Sequence, residues 1–196
     1  MEQWHIIAGL GNPGSQYART RHNIGFMAVE LLAQRWAVHW SKEPKFRCRL
    51  ARADRDQRRI LLCEPGTFMN SSGEAVEPLA GFYQVERTRT LIVLDDADLS
   101  LGTVRMRPEG SSGGHHGLES IQERLGTTEF PRLRLGIGRN DPAQREITGY
   151  VLSQFRAEEA GLLEKVLTRA CDQIECWLAE GILSAMNRFN GTIKSE

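Results

Sequence analysis

The stretch that most constrains this chain is Gly9-Leu10-Gly11-Asn12-Pro13-Gly14, followed by Tyr17 and by Thr20-Arg21-His22-Asn23. The apolar run Ile6-Ile7-Ala8 before it reads as a short buried strand, and the glycines and Pro13 stop that strand abruptly. Helical periodicity begins only after Asn23, with Ile24, Met27 or Ala28, Leu31, and Arg35 or Trp36 on one stripe. The polar stretch between them is therefore a loop at a strand's carboxyl end, where open α/β sheets gather their chemistry. The same six letters fit the dinucleotide fingerprint G-x-G-x-x-G. That motif needs a helix opening inside the glycine turn, so that its amides face a pyrophosphate. Here the loop runs on to Asn23, and Glu30, where the ribose-binding acid would fall, lies inside the helix. The dinucleotide reading is rejected.

The rest of the chain alternates in the same way. Phe46 to Ala53 and Arg59 to Cys63 predict a hairpin across the polar turn Asp54-Arg55-Asp56-Gln57. A helix is expected over Glu74 to Tyr83, and Leu91 to Leu94 reads as a central strand ending in Asp95-Asp96-Ala97-Asp98. Val104 to Arg107 alternates as a strand and leads through Gly110 to Gly117 into a helix over about 118–125. Leu133 to Ile137 is another strand. A long helix from about Ala157 carries Leu163, Val166, Leu167, Ala170, Ile174, Trp177 and Leu178 on one face, with Gly181 as its C-cap. Interleaved strands and helices predict an α/β fold: a single domain with a twisted, mostly parallel mixed sheet flanked by helices. Its expected extent is 1–190, with a loose tail at 191–196 and slackening from Asn187.

Composition excludes little and so throws weight onto the motifs. The 196 residues carry 25 Lys+Arg against 25 Asp+Glu, so any nucleic-acid surface must be a local patch and not a whole-chain field. Cys48, Cys63, Cys171 and Cys176 show no zinc spacing, and no signal peptide precedes them, which predicts reduced thiols in a cytoplasmic protein. No apolar run approaches the roughly 20 residues of a membrane span.

Loops at strand ends would meet on one rim of a parallel sheet, gathering Asn12, His22, Asn70, Asp95 and His116. Each has an ordinary structural role available: Asn12-Pro13-Gly14 as a turn, Asn70 as a helix cap, Asp95-Asp96-Ala97-Asp98 as a solvated turn or a magnesium site. Together they suit water activation. A histidine can take a proton at neutral pH, a carboxylate such as Asp95 can orient its ring, and asparagine amides can donate to a developing oxyanion. No serine or cysteine stands in a nucleophile elbow. Arg105 and Arg107, and likewise Arg132 and Arg134, are spaced i, i+2, which points each pair to one sheet face. That face is either solvated or, beside the glycine-rich loop, phosphate-binding.

Taken together these segments closely resemble the bacterial peptidyl-tRNA hydrolases. The matching motifs are Gly9 to Gly14, Tyr17, Thr20-Arg21-His22-Asn23, Thr67-Phe68-Met69-Asn70-Ser71-Ser72-Gly73, Asp95 to Gly102, Gly113-Gly114-His115, Arg132 to Gly138 and Ala185-Met186-Asn187. They run in the family's order over nearly the whole chain. The resemblance implies a monomeric enzyme, without cofactor or metal, that cleaves the ester between a peptide and the tRNA 3′ ribose. It implies His22 as general base, Asp95 as its orienting carboxylate, Asn12 against the peptide and Asn70 holding the scissile region. Tyr17, Phe68 and Met69 would line the path of the tRNA end, and Arg105, Arg107 and Arg134 would meet its phosphate. His116 stands where the family has a substrate-holding Asn, and it lacks an amide's paired donor and acceptor. A non-catalytic RNA-binding protein of the same fold is the alternative, and a phosphohydrolase using Asp95, Asp96 and Asp98 is a third.

Overall fold

A computed structural model describes residues 3–138 and 147–193. Its first strand, β1 (Trp4–Gly9), ends at the glycine run, and helix α1 (Ile24–Arg35) follows a single 3-10 turn at Arg21–Asn23. Next come β2 (Trp40–Glu43), β3 (Cys48–Arg55), β4 (Arg58–Pro65), α2 (Gly73–Tyr83), β5 (Thr90–Asp96) and β6 (Thr103–Arg107). The chain continues through α3 (His116–Leu125), β7 (Arg132–Gly136), α4 (Ile147–Val151), α5 (Ala160–Glu180), α6 (Ile182–Phe189) and β8 (Gly191–Thr192).

Among the described residues the strands form one sheet in the order β2-β3-β4-β1-β5-β7-β6-β8. The centre, β4-β1-β5-β7, is parallel, and the flanking pairs are antiparallel. This is the α/β class expected. The alternating hairpin pattern became β3 and β4, hinged at Asp56 and Gln57, both at positive φ.

Two apolar layers sandwich the sheet. Ile7, Leu62, Leu91, Val93, Leu133 and Leu135 face α1, α5 and α6, while Ile6, Ala8, Leu61, Ile92 and Leu94 face α2 and α3. The buried side of α1 differs slightly from the expected stripe: Ile24, Ala28, Leu32 and Trp36 make one row and Gly25, Val29 and Ala33 the next, while Met27 and Leu31 sit at the margin. The reason is how closely α1 lies on the sheet. A Cβ at Gly9 would stand 2.3 Å from the Gly25 carbonyl oxygen, and one at Gly25 would stand 2.4 Å from that of Val93. Gly9 is therefore a packing glycine, which lets the N-terminus of α1 sit directly over β1 and β5.

The C-terminal stretch is firmer than the loose tail expected from Asn187. Asn187 to Phe189 complete α6, and Gly191–Thr192 pair with β6. Asn190 ties this end down: its Oδ1 accepts from the Met106 N–H at 2.7 Å and its Nδ2 donates to the Met106 carbonyl at 3.1 Å. The last three positions of the expected tail lie outside the described residues. β2, α4 and β8 are too short to carry a period of their own and were not foreseen.

His5 on β1 is buried, its ring edge-on to Trp177 with centroids 5.7 Å apart. Burial, and then the charges of Arg89 and Arg58, push its pKa down to about 4. An unfolded-state imidazole titrates near about 6.5. Between those values the unfolded chain binds more protons, so stability should fall as pH drops from about 6.5 to about 4, by up to roughly 3 kcal/mol. Denaturant unfolding at pH 7 and pH 4.5 should therefore show a larger loss for the native chain than for His5→Asn; equal losses would exclude His5 as the source.

Candidate active site

The position of His22 follows from the packing just described. Because α1 lies tight on β1 and β5, the 3-10 turn Arg21–Asn23 sits over the carboxyl end of β5, where Asp95 emerges. His22 Nδ1 lies 2.9 Å from Asp95 Oδ1. A second histidine, His115, reaches the same oxygen, with Nε2 also at 2.9 Å.

The tautomers follow from the remaining partners. His115 is the N-cap of α3, and its Nδ1 accepts the Leu118 N–H at 3.3 Å. The neutral ring therefore carries its proton on Nε2 and donates it to Asp95. His22 likewise donates from Nδ1, which leaves its Nε2 lone pair available at the cleft. Asp95 is 2% exposed. Burial, the largest influence, pushes its pKa up, but the hydrogen bonds of His115 and His22, and the charge of either ring once it is protonated, outweigh it and hold the carboxyl well below the usual carboxylate range. It is thus an ionised acceptor for both rings.

These residues line a cleft of about 570 Å³ with Asn12, Phe68, Met69, Asn70, His116 and Arg134. Asn12 is held from three sides. Its N–H donates to Asn23 Oδ1 at 2.9 Å, its carbonyl accepts from Asn23 Nδ2 at 2.9 Å, and its Oδ1 accepts from the Met69 N–H at 2.8 Å. The last bond fixes the amide's orientation and leaves its NH₂ as the group that can donate to a ligand. Asn70 lies in a 3-10 turn before α2 and not at its cap position, so its amide is available to the cleft. Phe68 is 59% exposed and meets Tyr17 edge-on, with centroids 6.4 Å apart, making an aromatic border.

The basic residues divide. Register places Arg105 opposite Arg134 and Arg107 opposite Arg132, so all four share one sheet face. Arg105 and Arg107 are exposed. Arg134 is ion-paired to Asp96 at 3.1 Å and donates to the carbonyls of Ser111 and Ser112, so it braces the glycine-rich loop as well as lining the cleft. Arg132 does not fit the phosphate reading of its pair. It is 1% exposed and donates to the carbonyls of Phe130, Gly110 and Thr128.

Three participants were not foreseen: His115, Asn23 and Arg21. His115 and His116 are adjacent in sequence, and nothing in the letters says which turns inward. The structure turns His115 to Asp95 and leaves His116 exposed at the rim, with Nδ1 3.1 Å from Glu119. Arg21, buried beside His22, donates to the Ile137 carbonyl and to Glu159 Oε2 at 2.6 Å, and it lies between the rings of Tyr150 and Phe155. It joins the His22 turn to the segment that brings Val151 and Leu152 to the cleft wall.

Three of these groups could in principle hold a metal ion. His22, Asp95 and His115 offer two ring nitrogens and a carboxylate oxygen within 4.8 Å of one another. A zinc ion takes such sets, but here it would break both Asp95 hydrogen bonds and force the His115 proton onto Nδ1, against the Leu118 N–H. The phosphohydrolase reading fits no better, because Asp96 is committed to Arg134 and to the Asp98 N–H.

Comparison with known proteins decides the family. The Peptidyl-tRNA hydrolase family profile matches residues 6–196. The chain belongs to the peptidyl-tRNA hydrolase family. It is 47% identical over 187 residues to a peptidyl-tRNA hydrolase of Synechococcus sp. (strain JA-3-3Ab), covering 94% of this chain and 82% of that one. It is 46% identical to that of Chloroflexus aggregans, covering 94% and 98%. The crystal structure of peptidyl-tRNA hydrolase from Acinetobacter baumannii superposes with a TM-score of 0.91 at 35% identity, covering 98% of this chain and 97% of that one. A peptidyl-tRNA hydrolase solved in complex with N-propanol gives 0.92 at 34% identity, covering 97% and 96%. Family membership makes the chain a hydrolase, and the non-catalytic alternative finds no support in the comparisons.

His115→Ala should act on two features at once. Loss of the α3 cap should lower stability by about 1–2 kcal/mol, and loss of one Asp95 partner should raise the carboxyl's titration, followed by NMR. An unmoved Asp95 titration would deny the shared-oxygen arrangement.

Proposed function

We propose that this chain hydrolyses the ester joining a peptide, or an N-blocked amino acid, to the 3′ ribose of tRNA, with water as nucleophile and His22 as general base. The observation that carries the reading is the His22–Asp95 bond of 2.9 Å, which leaves Nε2 free in a cleft bordered by two asparagines. Nε2 takes a proton from water as the water oxygen attacks the ester carbonyl. The resulting imidazolium faces an ionised, buried carboxylate, and that is where most of its stabilisation comes from. The Asn70 amide donates to the carbonyl oxygen as it becomes an oxyanion, while the Asn12 NH₂, oriented by the Met69 N–H, donates to the peptide beside it. Collapse expels the ribose oxygen, which recovers the proton from His22, and the peptide leaves as a carboxylic acid that ionises by giving its remaining proton to solvent.

The tRNA end enters along the exposed Phe68 and Tyr17 border, on which a base can stack. Met69 supports this border from below. Arg105 and Arg107 meet phosphates, with Arg134 holding the intervening loop, and His116 contacts substrate only at the rim. The protein acts as a cytoplasmic monomer in this reading. No helix among the described residues is long and apolar enough to cross a membrane.

His22→Ala should lower turnover of N-acetyl-aminoacyl-tRNA by about 10²–10⁴-fold with melting temperature and tRNA binding nearly unchanged. Native-like turnover would remove the mechanism. Asn12→Asp tests selectivity. A carboxylate still accepts from the Met69 N–H but cannot donate, and it attracts a free amine. Activity on the N-blocked substrate should fall roughly tenfold or more, as expected for a lost donor in a buried site, while the unblocked form loses less. Equal slowing of both would leave Asn12 as a turn-shaping residue alone.

A further inference from the structure

A second cavity, of about 280 Å³, opens one strand over from the cleft, beside the carboxyl ends of β1 and β4. Asn12 lines both cavities, so they meet at the residue that the esterase reading sets against the peptide. The turn Pro13-Gly14-Ser15 forms one wall of the second cavity, and Glu64, Pro65 and Gly66 form another.

Glu64 is the unusual member. Its side chain is 2% exposed: Oε2 accepts from Arg49 at 2.7 Å, while no donor among the described residues reaches Oε1, and Glu30 lies within hydrogen-bonding range of the carboxyl. Glu30, on α1 and lining the same cavity, approaches the same guanidinium at 3.5 Å. One cation therefore serves two carboxylates. Burial pushes the Glu64 carboxyl up to about 8; Arg49 opposes the rise and Glu30 adds to it. At neutral pH such a carboxyl holds its proton, and a cation carrying hydrogen-bond donors would favour its ionised form. Nothing in the hydrolytic mechanism uses Glu64, Glu30 or Arg49.

We propose that this cavity is a subsite for the free α-ammonium of a short peptide whose ester lies at His22. As the ammonium enters, the Glu64 carboxyl gives its proton to solvent and accepts from the ammonium, Glu30 supplies the second negative charge, and the peptide backbone crosses Asn12 between the two cavities. An ester of a single amino acid carries its amine beside the reacting carbonyl, on the cleft side of Asn12, and gains nothing from Glu64. A peptide carries its amine at least one residue further on. The subsite thus favours peptides over single amino acids by charge, in addition to the amide contact at Asn12. This inference rests on the esterase reading above.

The test compares diglycyl- and triglycyl-tRNA with their N-acetyl forms. Glu64→Gln should raise KM for at least one free-amine substrate roughly tenfold, the worth of one charge-assisted hydrogen bond. The N-acetyl forms should stay within about twofold, because they bring no charge to the cavity. Glu30→Gln, at a half-exposed position that tolerates change, should shift the same ratio in the same direction by a smaller factor. Independently of hydrolysis, glycylglycine and triglycine titrated into the native protein should move the backbone NMR signals of Glu64 and Gly66 more than their N-acetyl forms do. Equal KM changes for free and acetylated substrates, or equal NMR responses, would overturn the subsite. A native protein that cleaves none of these substrates would overturn the esterase reading instead.

Discussion

One carboxylate oxygen organises this molecule. Asp95 Oδ1 accepts from His22 and from His115, each at 2.9 Å, and so joins the turn before α1, the end of β5 and the start of α3. Those elements come from three separate parts of the chain. The bond works only because the carboxyl is buried and ionised: a solvated aspartate would exchange these partners for water, and a protonated one would lose an acceptor. His115 spends its other nitrogen on the α3 cap, so the seating of the Asp95 carboxylate and the placement of a helix are set by the same ring.

That arrangement depends in turn on close backbone packing. Gly9 and Gly25 let α1 settle onto the sheet until main-chain atoms nearly touch, and this brings His22 within reach of Asp95. Any side chain at either glycine would lift the helix. Asn23 performs the corresponding task for the loop, bonding both the N–H and the carbonyl of Asn12, while Arg21 ties the other side of the turn to the cleft wall. Three consecutive residues, Arg21, His22 and Asn23, thus point into three different structures, and only the middle one lines the cleft.

The basic face illustrates how two identical sequence signals separate in three dimensions. Arg132 and Arg134 share the spacing of Arg105 and Arg107, yet Arg132 is sealed under the Gly110 loop, Arg134 is shared between Asp96 and loop carbonyls, and the edge-strand pair remains exposed. Charge spacing reports which face of a strand a residue occupies. It does not report what covers that face, and here a glycine-rich loop covers half of it.

The sequence by itself determined the alternation of strands and helices, and hence the α/β class, because apolar periods of two and of 3.6 residues are local properties of the chain. It also determined that Asn12, His22, Asn70 and Asp95 gather at the carboxyl ends of strands, since parallel strands bring those ends to one rim, although Asp95 proved to be the penultimate residue of β5 and not part of the loop after it. Tertiary structure alone decided which of two adjacent histidines reaches Asp95, that Gly9 serves packing, and that Gly191–Thr192 is a strand. Each of these is a relation between residues distant in sequence. His115 turns inward because α3 packs where it does, and Gly191–Thr192 extends because β6 offers it an edge. No local pattern in the chain encodes either partner.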